Sequence, residues 1–244
     1  MGHEFEAVDT AAVPASPEQV WEAIATGPGI DSWFMGHTEI TADGAVRLDY
    51  GPMTLTSSVT AWDPLKRFGH ASGRAEDGRF VAYEFLIEGR DSAATTLRMV
   101  TSGFIPGDDW KNEFEAMTNG GALFWRTLVT YLTHFAGRAA TPITVFGPPL
   151  PDMAAAWRAL FAELGLSGSP AVGDPVRLSV DGSSVDGVVF SANPQTLGIR
   201  CQDAMYRFMQ GFFNPTIITG HLVFEPQAPQ PDNVWAGWLA RVLT

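Results

Sequence analysis

Lysine is nearly missing from this chain. Lys66 and Lys111 are the only two in 244 residues, and with the arginines they make 15 basic against 27 acidic side chains, a net charge of −12. No basic run exists that could follow a phosphate backbone or coat an anionic membrane surface, so neither nucleic acid nor membrane is expected as a partner. Cysteine is scarcer still. Cys201 stands alone, which excludes an internal disulfide and a thiolate metal cage built from one chain. His3, His37, His70, His134 and His221 are scattered, with no pair at the spacing of helical metal ligands; neither a metal nor another cofactor is expected. No apolar run approaches the roughly 20 residues needed to span a bilayer. Met1-Gly-His-Glu-Phe-Glu6 lacks the basic region and apolar core of a secretion signal, and Glu6 occupies the Ser/Thr position of a myristoylation motif. A cytoplasmic protein is expected. The common catalytic signatures are also missing: Gly27-Pro-Gly29 begins like a dinucleotide loop, but Ser32 replaces the third glycine, and no Gly-x-Ser-x-Gly elbow or phosphate-cradling loop occurs.

What is present fills a core. Hydrophobic residues make up 45% of the chain and charged ones 17%, and the length suits two domains. In Val13-Pro-Ala-Ser-Pro-Glu-Gln-Val-Trp21, Ser16 is placed to cap a helix, Pro17 suits its first position and Gln19 completes a capping box. Val20, Trp21 and Ile24 supply the apolar face of that helix, and a second short helix is expected near Gly29 to Trp33. Strand-like runs follow at residues 38–40, 46–50, 53–62, 68–71, 80–88 and 94–104. They are separated by Asp43-Gly44, Gly51-Pro52, Asp63-Pro64 and Asp77-Gly78, which carry turn chemistry. Alternation puts Val81, Tyr83, Phe85 and Ile87 on one face. Over residues 110–135, Trp110, Phe114, Met117, Gly121, Phe124, Leu128, Tyr131 and Phe135 recur in steps of three and four, a long amphipathic helix with Asp108-Asp109 at its positive end. Gly120-Gly121 costs it on the order of 1 kcal/mol per glycine relative to alanine, so a kink or unwound turn is expected before Ala122.

Beyond Gly137 a Pro-rich stretch leads to a strand at residues 143–146. A helix follows, capped by Asp152, with Met153, Trp157, Leu160 and Leu164 on one face and Gly165 as its stop. Next comes an echo of the first half. Gly44-Ala-Val-Arg-Leu48 aligns with Asp174-Pro-Val-Arg-Leu178, and the run beginning at Ser58 with the run beginning at Gly187. A late strand over residues 216–225 and a terminal helix over 234–243 complete a second, shorter copy of one architecture, with Trp238 standing where Trp125 stands in the first.

The strand, capped helix and Trp33-Phe34 pair, with Ser102-Gly-Phe104 and the spacing of Trp125, Leu128 and Leu132, resemble the START-like (SRPBCC) superfamily, in the branch named for activators of a heat-shock-protein ATPase. The likeness spans residues 5–137. It implies an α+β helix-grip fold, a curved antiparallel sheet wrapped on a long helix, in a unit at 1–140, and the echo extends this to a smaller unit at 141–244. It also implies a cavity between sheet and helix for a small hydrophobic molecule, lined by Trp33, Phe34, Tyr50, Leu55, Tyr83, Phe85, Met99, Phe114, Met117 and Phe124. From pattern alone the same residues would serve as an ordinary solid core. Polar side chains that could reach such a space are His37, His70, Arg98, Thr101, Glu113 and Arg126, with Tyr83 foremost among the phenols. Alternation turns Arg98 away from Leu97 and Met99, and Glu113 in a helix's first turn has a dipole role of its own. Three functions stay open: ligand binding, a polyketide cyclase or dehydratase reaction in the same pocket, and interaction with a chaperone ATPase. Self-association as a homodimer is left open as well.

Overall fold

Each half of the chain begins with a strand that returns to pair with the last strand of that half. The computed structural model describes residues 2–51, 53–91, 94–108, 110–211, 214–225 and 227–243; Pro52 and Asp109, given turn and helix-start roles above, lie outside the described residues. In the first half, β1 (His3–Val13) leads to α1 (Pro17–Ala25) and α2 (Gly27–Asp31). Then come β2 (His37–Ile40), β3 (Ala45–Tyr50), β4 (Met53–Asp63), β5 (Arg67–Ser72), β6 (Phe80–Asp91), β7 (Ala94–Ile105) and the long α3 (Trp110–His134). The second half runs β8 (Ala140–Phe146), α4 (Met153–Glu163), β9 (Pro175–Val180), β10 (Ser183–Asn193), β11 (Thr196–Arg200), β12 (Ala204–Gln210), β13 (Ile217–Phe224) and α5 (Asp232–Leu243). The strand orders are β1-β7-β6-β5-β4-β3-β2 and β8-β13-β12-β11-β10-β9, one antiparallel topology used twice, the second time one strand shorter.

Local sequence explains the starts and stops. Ser16 Oγ accepts from the Gln19 N–H at 3.3 Å while Gln19 Oε1 accepts from the Ser16 N–H at 3.0 Å, closing the capping box. Asp152 caps α4 through the Ala155 N–H at 2.9 Å. Gly165 ends it at φ +69°, where a side chain would be strained. The internal echo is stricter than sequence matching suggested. Leu48 pairs with Leu55 and Leu178 with Val185; Tyr50 pairs with Met53 and Val180 with Ser183. β4 and β10 each carry a bulge, between Val59 and Ala61 and between Val189 and Ser191. These correspondences put Asp63-Pro64 opposite Asn193-Pro194, a one-residue correction to the run aligned from Ser58 and Gly187, because hairpin register and bulge align Ser57, not Ser58, with Gly187.

A second correction concerns α3. It is one continuous helix across Gly120-Gly121, with no unwound turn before Ala122. The glycines shape the space beside the helix and leave its hydrogen bonding intact.

The two units share a core. α4 and α5 cover one face of the second sheet, where Trp157, Tyr206, Phe208, Trp235 and Trp238 are buried together. From its other face Met205, Leu222 and Phe224 join the core of the first unit. Phe224 stacks on Phe135 at 4.2 Å and lies against Tyr131 at 6.0 Å. α3 therefore lies between two sheets. Replacing the fully buried Phe224 by alanine removes a ring that both units use, and a loss of about 3–5 kcal/mol is expected. Denaturant unfolding followed by tryptophan fluorescence and by far-ultraviolet dichroism should give coincident transitions in wild type and variant; separated transitions would mean that the units fold independently.

Candidate functional site

The inner face of the first sheet changes character along its strands. Near α1, Phe68, Phe85, Ile87, Leu97 and Met99 are buried in a solid core with Val20, Ile24 and Trp33, whose indole N–H donates to the Ala23 carbonyl at 2.9 Å. Farther along the same face, Ser57, Val59, His70, Ser72, Val81, Tyr83 and Thr101 are only half-buried. The pairings His70↔Tyr83↔Thr101 and Ser57↔Ser72 set these side chains beside one another on the face that α3 crosses.

α3 crosses this region with both of its ends anchored. Its beginning is fastened to β1, where His3 stacks on Trp110 at 3.8 Å and Phe5 meets Phe114 at 5.6 Å. Leu128, Tyr131, Leu132 and Phe135 are buried at its other end. Within the first sheet the helix runs nearest β1 and β7. Gly121 lies in that stretch, in the stripe with Met117 and Phe124, and a Cβ built on it would meet no atom within 4 Å. The α3 residues of that stripe, Phe114, Met117, Gly121 and Phe124, are half-buried, like the strand residues of the sheet floor beneath them.

The floor is polar at one place. Ser57 Oγ and His70 Nδ1 are hydrogen-bonded at 2.9 Å, and the His70 ring stacks on Tyr83 with centroids 5.3 Å apart. Burial lowers the His70 pKa to about 4, so its imidazole is neutral at physiological pH. Burial also raises the Tyr83 phenol, and the nearby Tyr50 adds to that rise; Tyr50 is itself raised by burial. Among the described residues no hydrogen bond engages the phenols of Tyr50 and Tyr83 or the second nitrogen of His70. The floor thus offers an uncharged imidazole, oriented by Ser57, and two phenolic donors.

Of the ten lining residues named from sequence, Phe34, Tyr50, Tyr83, Phe114, Met117 and Phe124 are half-buried on the less covered stretch; Phe34 and Phe124 have ring centroids 4.2 Å apart, and they, Tyr50 and Tyr83 pack against buried core residues. Trp33, Phe85 and Met99 lie in the packed region behind it, and Leu55 is half exposed at the outer end of β4. Of the polar set, His70 and Thr101 face the cleft. His37 is exposed and hydrogen-bonds Asp31 at 2.7 Å, Glu113 pairs with Arg79 at the rim, Arg98 points outward, and Arg126 is exposed near Asp9. Sequence reading did not single out Ser57, although period-two alternation from Leu55 puts it on the inner face.

Other spaces differ in kind. One of about 250 Å³ on the opposite side of α3 is walled by Asn112, Glu115, Gln195 and Gln210, and an open groove of about 530 Å³ runs between the end of α4 and β9–β10. The first is walled mainly by polar side chains; the second sets Ala162, Leu164, Pro175 and Val176 beside Glu163, Arg177 and Asp186. Among the described residues no group of three or more His, Cys, Asp or Glu could hold a metal ion, and no helix is long and apolar enough to cross a membrane.

No family model and no curated protein matches the chain. Solved structures similar to it include the di-domain aromatase/cyclase BexL from the BE-7585A biosynthetic pathway, at 14% identity over 91% of this chain and 85% of that one, with a TM-score of 0.48. The Aha1 dimer from Colwellia psychrerythraea is 19% identical over 52% of this chain and 96% of that one, with a TM-score of 0.42. The Zhui aromatase/cyclase from Streptomyces sp. R1128 is 18% identical over 53% and 94%, also with a TM-score of 0.42. This chain's own strand order defines it as a tandem helix-grip protein, a full unit followed by a shorter one.

The neutral state of His70 carries a pH signature. Unfolded, its imidazole takes up a proton near the ordinary 6.5; folded, it does so only near 4. Stability is therefore unaffected by this group above about pH 6.5 and falls as pH drops from there towards 4, because the unfolded chain binds the proton first. Denaturant midpoints measured across that window should fall less steeply for His70→Gln than for wild type; identical slopes would mean that His70 is freely solvated.

Proposed function

We propose that the first unit binds a small, largely apolar and uncharged molecule in the cleft between its sheet and α3. The observation that carries this reading is the open space at Gly121, where an added Cβ would meet no atom within 4 Å, on a helix anchored at both ends above strand residues that are left half-buried. The walls suit an aromatic or alicyclic body, since Phe34, Phe114 and Phe124 supply flat apolar surface and Met117 adapts to shape. The floor suits a ligand with one or two oxygen atoms, which the Tyr50 and Tyr83 phenols and the neutral His70 can hydrogen-bond. A charged headgroup finds no partner there. Burying about 300 Å² of apolar ligand surface is worth roughly 7 kcal/mol before the cost of association, which leaves micromolar affinity.

One further observation favours a second reading, an enzyme that moves protons on a bound carbonyl compound. His70 is oriented by Ser57 and lies against Tyr83, so two polar side chains converge with one of them held by a neighbour, the minimum arrangement for acid–base chemistry. The two readings share the cleft and differ in turnover.

Gly121 supplies the test. Gly121→Ala adds one methyl to open space and should stabilise the helix by about 1 kcal/mol without affecting binding. Gly121→Phe should fold equally well and fill the cleft. Titration with 1-aminoanthracene, a neutral fluorescent aromatic, should give similar dissociation constants for wild type and Gly121→Ala and at least a tenfold loss for Gly121→Phe. Equal binding by all three would remove the cleft as the binding site.

A further inference from the structure

Arg207 stands where a charge is hardest to hold. It projects from β12, fully buried, away from the second unit's own core and towards the first unit. Its Nε donates to the Gly220 carbonyl, Nη1 to the Trp33 carbonyl at 2.8 Å and Nη2 to the Phe34 carbonyl at 2.5 Å. The guanidinium carbon lies 5.6 Å from the centre of the Phe124 ring, whose neighbour is the Phe34 ring. Among the described residues no carboxylate pairs with it. Burial lowers its pKa only to about 9, so it remains a cation at neutral pH, held by three carbonyls and an aromatic face.

Joining the units does not require this arrangement. Arg138 pairs with Asp203 at 2.7 Å, the Ala140 N–H donates to Ser32 Oγ at 3.0 Å, Asn193 Nδ2 donates to the Asn119 carbonyl at 3.0 Å, and Phe135 stacks on Phe224. None of these contacts touches the cleft. Arg207 instead grips the backbone of one aromatic wall residue and lies against the ring of the other.

We propose that Arg207 is the positioning residue of the first unit's cleft: it fixes the Phe34–Phe124 pair from behind, so that ligand affinity in the first unit is set by a side chain of the second. This rests on the cleft reading above and gives the second unit a task. Its own space between sheet and helices is filled by Trp235, Trp238, Tyr206 and Phe208, so it acts as the support of its neighbour's binding wall.

A double-mutant cycle on the full chain, read by 1-aminoanthracene affinity, tests the inference. Arg207→Lys keeps the charge but loses the fork that spans several carbonyls; it should weaken the probe at least tenfold. In a Phe124→Leu background the same change should cost less than twofold, because the ring it acts through is gone. Asp203→Asn, which breaks a contact between the units remote from the cleft, should lower stability and leave affinity within twofold. Should Arg207→Lys fail to fold, Arg207→Gln takes its place in the cycle. Equal costs in both backgrounds, or affinity within twofold of wild type for the folded Arg207 variant, would overturn the inference. Failure of wild type to bind the probe would instead count against the cleft reading.

Discussion

One helix, α3, serves two sheets, contacting β1 and β7 of the first and β10 and β11 of the second. α3 is held against β1 by its first aromatic residues and enters the solid core at its last turns. On its opposite side Leu123 packs with Met35 and Met209, the latter from the second sheet. With both ends and the outer face committed, the distance between the middle of the helix and β3 to β6 is set by packing elsewhere. Gly120 and Gly121 then decide what occupies that distance, since a glycine contributes no side chain to close it. The hollow proposed for ligand binding depends on that shared helix and on the open space at Gly121.

The duplication gives the same architecture two outcomes. In the second unit α4 and α5 bring tryptophans to the sheet, and Trp157, Trp235 and Trp238 fill the space that Gly121 leaves open in the first. Equal register in the β3–β4 and β9–β10 hairpins, each followed by a bulge, makes this a comparison between like frames. One copy has become a solid support that presents the other face of its sheet to α3, with Met205, Leu222, Phe224 and Arg207 reaching across. The arrangement turns a division in the chain near residue 140 into a continuous interior.

Much of this was legible in the residues. Ser16, Pro17 and Gln19 announced α1, the alternation around Tyr83 and Phe85 assigned the inner face, and the three-four stripe from Trp110 marked α3. Each of these signals is local, and local periodicity survives into structure when the buried face it implies is satisfied. The glycine pair was misread because helix propensity speaks to the cost of a glycine and not to the space beside it. Ser57 was legible through period-two alternation from Leu55, since the β4 bulge lies beyond both, between Val59 and Ala61. Arg207 was out of reach altogether: its partners are carbonyls of residues 33, 34 and 220, and main-chain acceptors leave no mark on composition or spacing. The division of the ten named lining residues into an open group and a packed group likewise depends on how far α3 stands from each strand.

The most direct measurement is a crystal structure of the full chain grown with 1-aminoanthracene. The ring system should occupy the space between Gly121 and the Tyr83–His70 floor, against the Phe34–Phe124 wall, with α3 unbent. A helix seated flush on the strands, with Tyr83 packed against Gly121 and the probe bound elsewhere or not at all, would contradict the hollow on which the proposed function depends.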